Sequence, residues 1–194
     1  MRCILKSFCV STMFVLALSG ISQAQIASGS GEVAGDIGIS SVQGANNSRG
    51  HVFLGASAAY NVLPNVALGF EYNYQLLGST TQFGVTESGH LQLVGPVVRV
   101  ALSESSHVVP YVLGDGGYAN VHASASAGSI SASASQNGSY FGFGGGASIY
   151  AGPNWGVRPE FRYDRIHVGS GTNDVQGLVS VFYQFGGKRS MKKK

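Results

Sequence analysis

Cysteine, lysine and long apolar runs are all scarce in the body of this 194-residue sequence. Its two cysteines, Cys3 and Cys9, lie close to the N-terminus, and no lysine occurs between Gln25 and Gly187. A segment without cysteine forms no disulfide, no thiolate metal site and no thiol nucleophile. After residue 24 no helical period appears, and no apolar run reaches the ~20 residues that a transmembrane helix needs.

Positive charge is also scarce outside the two ends of the chain. Between Gln25 and Gly187 there are five arginines and nine acidic residues, which gives a net charge of −4. The segment from Lys188 to Lys194 adds five positive charges, so the overall +3 describes the ends and not the body. This distribution excludes a basic nucleic-acid-binding face on the main domain.

The N-terminal segment has the composition of a secretory signal peptide. Arg2 and Lys6 precede an apolar stretch, and Ser22-Gln23-Ala24 supplies small residues at a cleavage site. This order predicts an exported protein that is cleaved near Ala24. We therefore expect a signal peptide over residues 1–24, one domain over 25–185 and a basic periplasmic tail over 186–194.

The predicted domain consists of short runs rich in Val, Leu, Ile, Phe, Tyr and Gly, separated by turn residues. Each run has about 10 to 14 residues, which matches the roughly 9–11 residues that a tilted β-strand needs to cross a bilayer. The eight runs cover residues 31–42, 51–62, 66–77, 89–102, 108–121, 139–151, 155–167 and 174–185.

The breaks between these runs alternate between short and long. The short breaks are 63–65, 103–107 and 152–154, and the first and last of them contain Pro-Asn, a turn-forming pair. The longer breaks are 43–50, 78–88, 122–138 and 168–173. Tight turns at one end and long loops at the other are typical of outer-membrane barrels, in which the tight turns are periplasmic.

Residues alternate within the runs in a way that suits lipid outside and a polar interior. The seventh run places Trp155, Val157, Pro159, Phe161 and Tyr163 on one face, and Gly156, Arg158, Glu160, Arg162 and Asp164 on the other. A soluble barrel would have to pack too many bulky side chains into one small core. The inverted arrangement, with apolar residues facing lipid, accommodates them.

With these patterns the sequence resembles the small outer-membrane β-barrel family typified by the OmpA transmembrane domain and the OmpX/Ail proteins. The glycine–aromatic segments 111–118 and 140–146, the charged segment 158–163 and the final segment 179–185 carry the resemblance. It implies that Val181, Tyr183 and Phe185 belong to a C-terminal signal read by the barrel-assembly machinery. Unlike the usual family pattern, Gly186-Gly187 and a basic tail follow this signal.

The inward faces predict an ionic network in the lumen. The lumen of an eight-stranded barrel is only wide enough for side chains to fill it, so charges inside it must pair. The favoured interpretation is a closed interior, and the alternative is a gate whose ion pairs re-form to admit water or ions. The residues expected in this network are Asp36, Glu71, Arg99, Asp115, Arg158, Glu160, Arg162 and Asp164.

Segment 122–138 is nearly a mirror image of itself about Gly128-Ser129. Its alternating Ser and Ala residues predict an extended hairpin with its turn at that point, projecting outside the cell. A solvated protrusion is the simpler interpretation, and binding of an extracellular ligand is the alternative.

Catalysis and metal binding are not expected. His122-Ala123-Ser124 matches the His-x-Ser pair of barrel lipid A deacylases, but no carboxylate is available nearby to orient the histidine. His51, His90, His107 and His167 are expected at strand ends as interfacial residues, and their spacing fits no zinc site.

The sequence thus predicts an all-β, eight-stranded antiparallel transmembrane barrel of up-and-down topology in the bacterial outer membrane. We expect a structural or surface-interaction role without cofactors, and a narrow porin-like channel is the alternative. The expected partners are outer-membrane lipid and lipopolysaccharide, the assembly machinery and a possible ligand of loop 122–138. The barrel is expected to be a monomer.

Overall fold

Eight strands form one closed antiparallel barrel. A computed structural model describes residues 28–44, 47–103, 107–169 and 171–186. The predicted signal peptide and most of the basic tail lie outside these residues. The strands are β1 (Ser30–Gly44), β2 (Asn47–Leu63), β3 (Val66–Gln82), β4 (Val85–Ala101), β5 (Val108–Ala127), β6 (Ile130–Tyr150), β7 (Trp155–His167) and β8 (Thr172–Gly186).

Each strand pairs with its neighbours in the sequence, and β1 closes the barrel by pairing with β8. The closing pair runs from Ser30↔Gly186 to Gln43↔Asn173. This topology confirms the predicted up-and-down, eight-stranded barrel. No helix in the described part of the chain is long and apolar enough to span a membrane.

The two faces of the barrel wall have the predicted inverted character. Bulky apolar side chains such as Ile39, which is 68% exposed, point outward, whereas charged side chains such as Glu71 are buried inside. A soluble fold would leave this apolar outer surface in water at a high free-energy cost. The wall therefore suits a hydrocarbon environment, where a closed barrel also satisfies its backbone hydrogen bonds.

The tight turns lie where the sequence predicts them. Pro64-Asn65 joins β2 to β3, and residues 151–154 join β6 to β7. The third predicted turn, 103–107, lies between β4 and β5, and its central residues are outside the described part of the chain. These connections define the tight-turn end of the barrel.

The prediction of loops is wrong for three of the four longer breaks, because strands continue through most of each one. Segment 78–88 is strand except for a two-residue turn at Phe83-Gly84, and 122–138 is strand except for Gly128-Ser129. Most of 43–50 is also strand. Phe83, Gly84 and Gly128 have positive φ values of 51°, 76° and 59°, so these positions make the sharp reversals. The predicted hairpin turn at Gly128-Ser129 is confirmed by the pair Ala127↔Ile130.

The extended strands build a sheet beyond the closed part of the barrel, which we call the surface sheet. Its strands are residues 79–82 of β3, 85–90 of β4, 122–127 of β5 and 130–137 of β6, paired in that order. β2 stops pairing with β3 at Val52↔Leu76, and β7 begins pairing with β6 at Ser139↔His167. The surface sheet therefore projects as four strands with two edges.

Candidate functional site

The lumen contains all eight charged residues named from the sequence. Asp36, Glu71, Arg99, Arg158, Glu160, Arg162 and Asp164 are buried inside the barrel. The Asp115 side chain, in an ion pair with Arg162, is only 1% exposed. Alternation along β7 puts four of these charges on one strand, two residues apart, so they form a column along the lumen wall.

Arg162 is the centre of the first cluster. Its Nη1 lies 2.6 Å from Glu71 Oε1 and 3.3 Å from Asp115 Oδ2. Its Nε contacts Glu160, which also accepts a hydrogen bond from the hydroxyl of Tyr111. One guanidinium thus links β3, β5 and β7 across the lumen, and its five N–H donors suit this number of partners.

Glu32 is the centre of a second cluster nearer the tight-turn end. Its Oε1 accepts hydrogen bonds from Arg99 Nη1 at 2.9 Å and Arg158 Nη2 at 2.6 Å. Arg99 also donates to Ser57, and Arg158 donates to Ser148. This cluster connects β1, β4 and β7, which are not neighbours in the sheet.

A third cluster is built from amides and carboxylates towards the long-hairpin end. Gln75 Nε2 donates to Asp174 Oδ2 at 2.7 Å, and Gln176 Nε2 donates to Asp164 Oδ2 at 2.6 Å. Ser40 Oγ lies 3.2 Å from Gln75 Oε1. Amides can bridge carboxylates because each carries both donors and an acceptor.

Gly142 makes room for two of the carboxylates. A Cβ at this position would lie 2.0 Å from Asp164 Oδ1 and 2.5 Å from Asp115 Oδ1. Both distances are far below van der Waals contact. The glycine on β6 is therefore needed for the two aspartates to occupy the lumen as they do.

Apolar clusters fill the lumen on either side of the charges. Towards the long hairpins, Leu91, Leu93, Ala119, Tyr140 and Ile166 pack together beyond Asp164. At the tight-turn end, Val109, Tyr150 and Phe182 pack together, with the rings of Tyr150 and Phe182 meeting edge to face at 5.2 Å. The Arg158 guanidinium lies 4.6 Å from the centre of the Phe182 ring.

A small cavity of about 30 Å³ lies between the Glu32 cluster and the tight-turn end. Glu32, Asn61, Arg99, Tyr111 and Arg158 are among the residues that line it. A polar cavity of this size is large enough to hold water. Water there can hydrate the ion pairs.

Two further acidic residues of the lumen, Glu32 and Asp174, are not among those predicted from the sequence. Both are buried: Glu32 lies on the same face of β1 as the predicted lumen residue Asp36, and Asp174 lies on the same face of β8 as the buried Gln176. Extending the alternation of β1 by four residues and that of β8 by two would have found them. Tyr111, which binds Glu160, carried no such signal because tyrosine also suits the lipid-facing wall.

The predicted assembly signal lies on the outer wall. Val181, Tyr183 and Phe185 are about half exposed and face away from the lumen. Phe185 pairs with Gly31 at the β1–β8 closure, where its ring covers the glycine. Their role in assembly stays a prediction.

The His-x-Ser motif does not assemble into a catalytic pair. His122 Nδ1 lies 2.8 Å from Ser135 Oγ, and its ring stacks on His90 at 4.9 Å. Ser124 instead bonds the hydroxyl of Ser88 at 2.9 Å. The two residues of the motif therefore have different partners.

One histidine departs from the expected position at the membrane interface. His51 is buried, with its side chain inside the barrel, because its position in β2 belongs to the inward set. His167 lies on the outer wall, where its ring stacks on Phe141 at 5.5 Å. No group of three or more metal-ligating side chains occurs in the part of the chain that the structure describes.

An inverted closed barrel of eight strands with a charged interior is the architecture of small outer-membrane proteins. A family model described as "Outer membrane protein beta-barrel domain" matches residues 12–185. The chain belongs to this family and is a protein of the bacterial outer membrane. By the rule for such barrels, the tight turns are periplasmic and the surface sheet is extracellular.

Solved structures agree with the family assignment. Ail, the attachment invasion locus protein of Yersinia pestis, is 14% identical with a TM-score of 0.63, over 81% of this chain and 99% of that one. Neisserial surface protein A is 18% identical with a TM-score of 0.66, over 81% and 100%. A major outer membrane protein of Thermus thermophilus is 10% identical with a TM-score of 0.60, over 80% and 99%. At these identities the likeness shows the fold alone.

No curated protein matches the chain.

Proposed function

We propose that this protein is a closed outer-membrane barrel that serves envelope integrity and surface contact, and that it does not conduct solutes. The observation that carries the proposal is the cross-lumen network around Arg162 and Glu32, whose paired side chains are 1–10% exposed. An ion passing through the lumen would have to break pairs that join strands on opposite walls. Breaking one partner away from a buried pair costs about 3–5 kcal/mol.

Planar-bilayer recording tests the closed lumen. Wild-type protein is expected to show no conductance steps, since the ionic clusters and their apolar neighbours fill the bore. Arg162→Ala removes the central cation, and Arg165→Ala removes a guanidinium on the outer wall, where it bonds Asn173. The closed-barrel proposal predicts that only Arg162→Ala opens leak steps. Stepwise conductance of the wild type would overturn it.

A narrow cation pore is the second candidate, because carboxyl groups outnumber guanidinium groups in the lumen. Seven buried carboxylates face three guanidiniums among the described residues. The carboxylates are Glu32, Asp36, Glu71, Asp115, Glu160, Asp164 and Asp174, and the guanidiniums are Arg99, Arg158 and Arg162. A wild-type conductance selective for cations over anions would favour this candidate.

The surface contact is assigned to the surface sheet. The structure of Ail in complex with the heparin analogue sucrose octasulfate is among those with the same fold, so a barrel of this shape can bind a ligand. Here segment 122–138 has no lysine or arginine, and the one charged residue of 78–88 is Glu87. These hairpins therefore suit an uncharged, hydrogen-bonding partner better than a sulfated polymer.

The remaining parts of the proposal concern partners and processing. We expect the outer wall to contact lipid and lipopolysaccharide, and the C-terminal strand to be recognised during assembly. Within its own membrane the barrel is expected to be a monomer without cofactor or catalytic activity. Membrane fractionation with heat-modifiable gel migration tests insertion, and recovery of folded protein from the soluble periplasm would contradict it.

A further inference from the structure

One backbone edge of the surface sheet has no neighbouring strand among the described residues. β6 pairs with β5 from Ile130 onward, but its pairing with β7 begins only at Ser139. Residues 130–137 are all exposed. Their backbone N–H and C=O groups on the β7 side are therefore available for pairing with another strand.

The two edges of the surface sheet differ in how well they are protected. Along β3, the register shifts between Leu76 and Ser79, and Gly78 has a positive φ of 72°. Such an irregularity twists an edge away from a partner. β6 pairs with β5 without a register shift over its whole length, and residues 130–137 contain no proline, lysine or other charge. The β6 edge thus lacks the devices that normally prevent strand addition.

The sequence of the β6 edge is complementary to itself. Ser131-Ala132-Ser133-Ala134-Ser135 reads the same in both directions. Within the hairpin it already pairs antiparallel with the similar segment of β5, as Ser124↔Ser133, Ala125↔Ala132 and Ser126↔Ser131. An antiparallel pair of two β6 edges centred on Ser133 repeats this serine-on-serine and alanine-on-alanine arrangement. Serine hydroxyls facing each other across strands form hydrogen bonds, as Ser88 and Ser124 do at 2.9 Å.

We propose that residues 130–136 of β6 bind the same residues of a second copy of this chain, as an antiparallel strand pair about a two-fold axis at Ser133. This inference rests on the proposed surface-contact function and names its partner. Each copy contributes the same residues, as a two-fold interface requires.

The antiparallel direction determines where the second copy lies. In one membrane all β6 strands run from the cell surface towards the periplasm, so two neighbours could meet only in parallel. An antiparallel pair joins barrels that point in opposite directions and therefore lie in two facing membranes. The free edge of about eight residues, at about 3.4 Å per residue, sets the distance between the barrel rims at roughly 25–30 Å.

A single contact of this kind buries a short strand pair and is weak. On a membrane surface many copies act together, so that the second and later contacts form at high effective concentration. The expected activity is therefore adhesion between membranes that both contain the protein.

Vesicle clustering tests the proposal. Vesicles that contain the wild-type barrel are expected to cluster with each other, measured by light scattering, but not with empty vesicles. Ser133→Lys places two ammonium groups opposite each other at the two-fold axis and is expected to reduce clustering at least ~10-fold. Ser126→Lys is the matched control, because it adds the same charge to the same hairpin on β5, which has partners on both sides.

Cysteine cross-linking tests the register. Under mild oxidation Ser133→Cys is expected to form a disulfide with its own copy in another vesicle. Ser131→Cys and Ser135→Cys are expected to cross-link only when vesicles carrying each are mixed. Ser126→Cys should give no cross-link.

Three results would overturn the inference: no clustering of wild-type vesicles, equal clustering of Ser133→Lys and wild type, or equal cross-linking of Ser126→Cys and Ser133→Cys. The first of these results includes vesicles that bind an unrelated extended peptide but not each other. Ion leakage, measured on the same vesicles, distinguishes failure of the homotypic contact from failure of the proposed closed barrel. Vesicles that stay sealed without clustering contradict only the homotypic contact, whereas leaking vesicles contradict the closed lumen.

Discussion

Strands β3 to β6 contribute to both the lumen and the surface sheet, but the two regions are held together by different interactions. In the lumen, long charged side chains join strands that are not neighbours, as Arg162 joins β3, β5 and β7. In the surface sheet, short Ser and Ala side chains contribute little to stability, and backbone hydrogen bonds between adjacent strands hold the sheet together. Stability should therefore depend strongly on side-chain identity in the lumen and weakly in the surface sheet.

Arg162→Ala should give the largest effect. It leaves Glu71, Glu160 and Asp115 without their shared cation, which should lower the free energy of unfolding by roughly 3–5 kcal/mol. Urea unfolding in lipid vesicles, followed by fluorescence of the single tryptophan, Trp155, measures it. Arg165→Ala, on the outer wall, should cost no more than about 1 kcal/mol. Equal losses for the two variants would contradict a lumen held by this guanidinium.

Gly142→Ala should have the next largest effect. The added methyl group would collide with the carboxylates of Asp115 and Asp164, and their displacement should cost roughly 1–3 kcal/mol. Gly177→Ala is the control, because a Cβ there meets nothing within 4 Å. The same unfolding measurement should find the control close to wild type, and a similar loss at both positions would show that lumen space is not the cause.

Tyr111→Phe should have a smaller effect. It removes the hydroxyl that donates to Glu160 and keeps the ring, so the free energy of unfolding should fall by roughly 1–2 kcal/mol. Tyr183→Phe removes a hydroxyl on the exposed outer wall, where it accepts from Asn154, and should change stability by less than about 0.5 kcal/mol. A larger loss of unfolding free energy from Tyr183→Phe than from Tyr111→Phe would contradict the role of the lumen network.

Shortening the β5–β6 hairpin should have the smallest effect on the barrel. Replacement of residues 124–133 by Asn-Gly keeps a two-residue turn and removes most of the projecting strand pair. The unfolding free energy should stay within about 1 kcal/mol of wild type, since the removed residues are exposed or half-exposed parts of the surface sheet. Vesicle clustering should be lost in the same variant. A large loss of stability would mean that the surface sheet supports the barrel.

Much of the lumen could be predicted because alternation fixes which face a residue occupies once one strand is assigned. The charges of β7, two residues apart, set the inward face, and the same reasoning places Glu71 and Arg99. Their pairing could not be predicted, since it depends on how strands are staggered around the barrel. Nothing in the sequence indicates that Glu32, on β1, meets both Arg99 and Arg158.

The main error in the predicted fold was that the strands were too short, and the reason is physical. Gly and Ala have low strand propensity and Ser is common in turns, so segments such as 122–138 resemble loops by composition. They form strands here because each continues a pair that the barrel has already aligned. The mirror symmetry about Gly128-Ser129 identified the turn, because the two similar halves of the segment can pair with each other as the two strands of a hairpin.

The β1–β8 pair determines when the barrel can close during its assembly in the membrane. Seven of the eight strand pairs join segments that follow one another along the chain, and only this one joins its two ends. Until β8 is in place, β1 and β7 each expose a row of unsatisfied peptide groups, which hydrocarbon does not tolerate. A partly inserted intermediate is therefore an open, unstable ribbon, and stopping synthesis before the final strand should yield material for proteolysis instead of a smaller barrel.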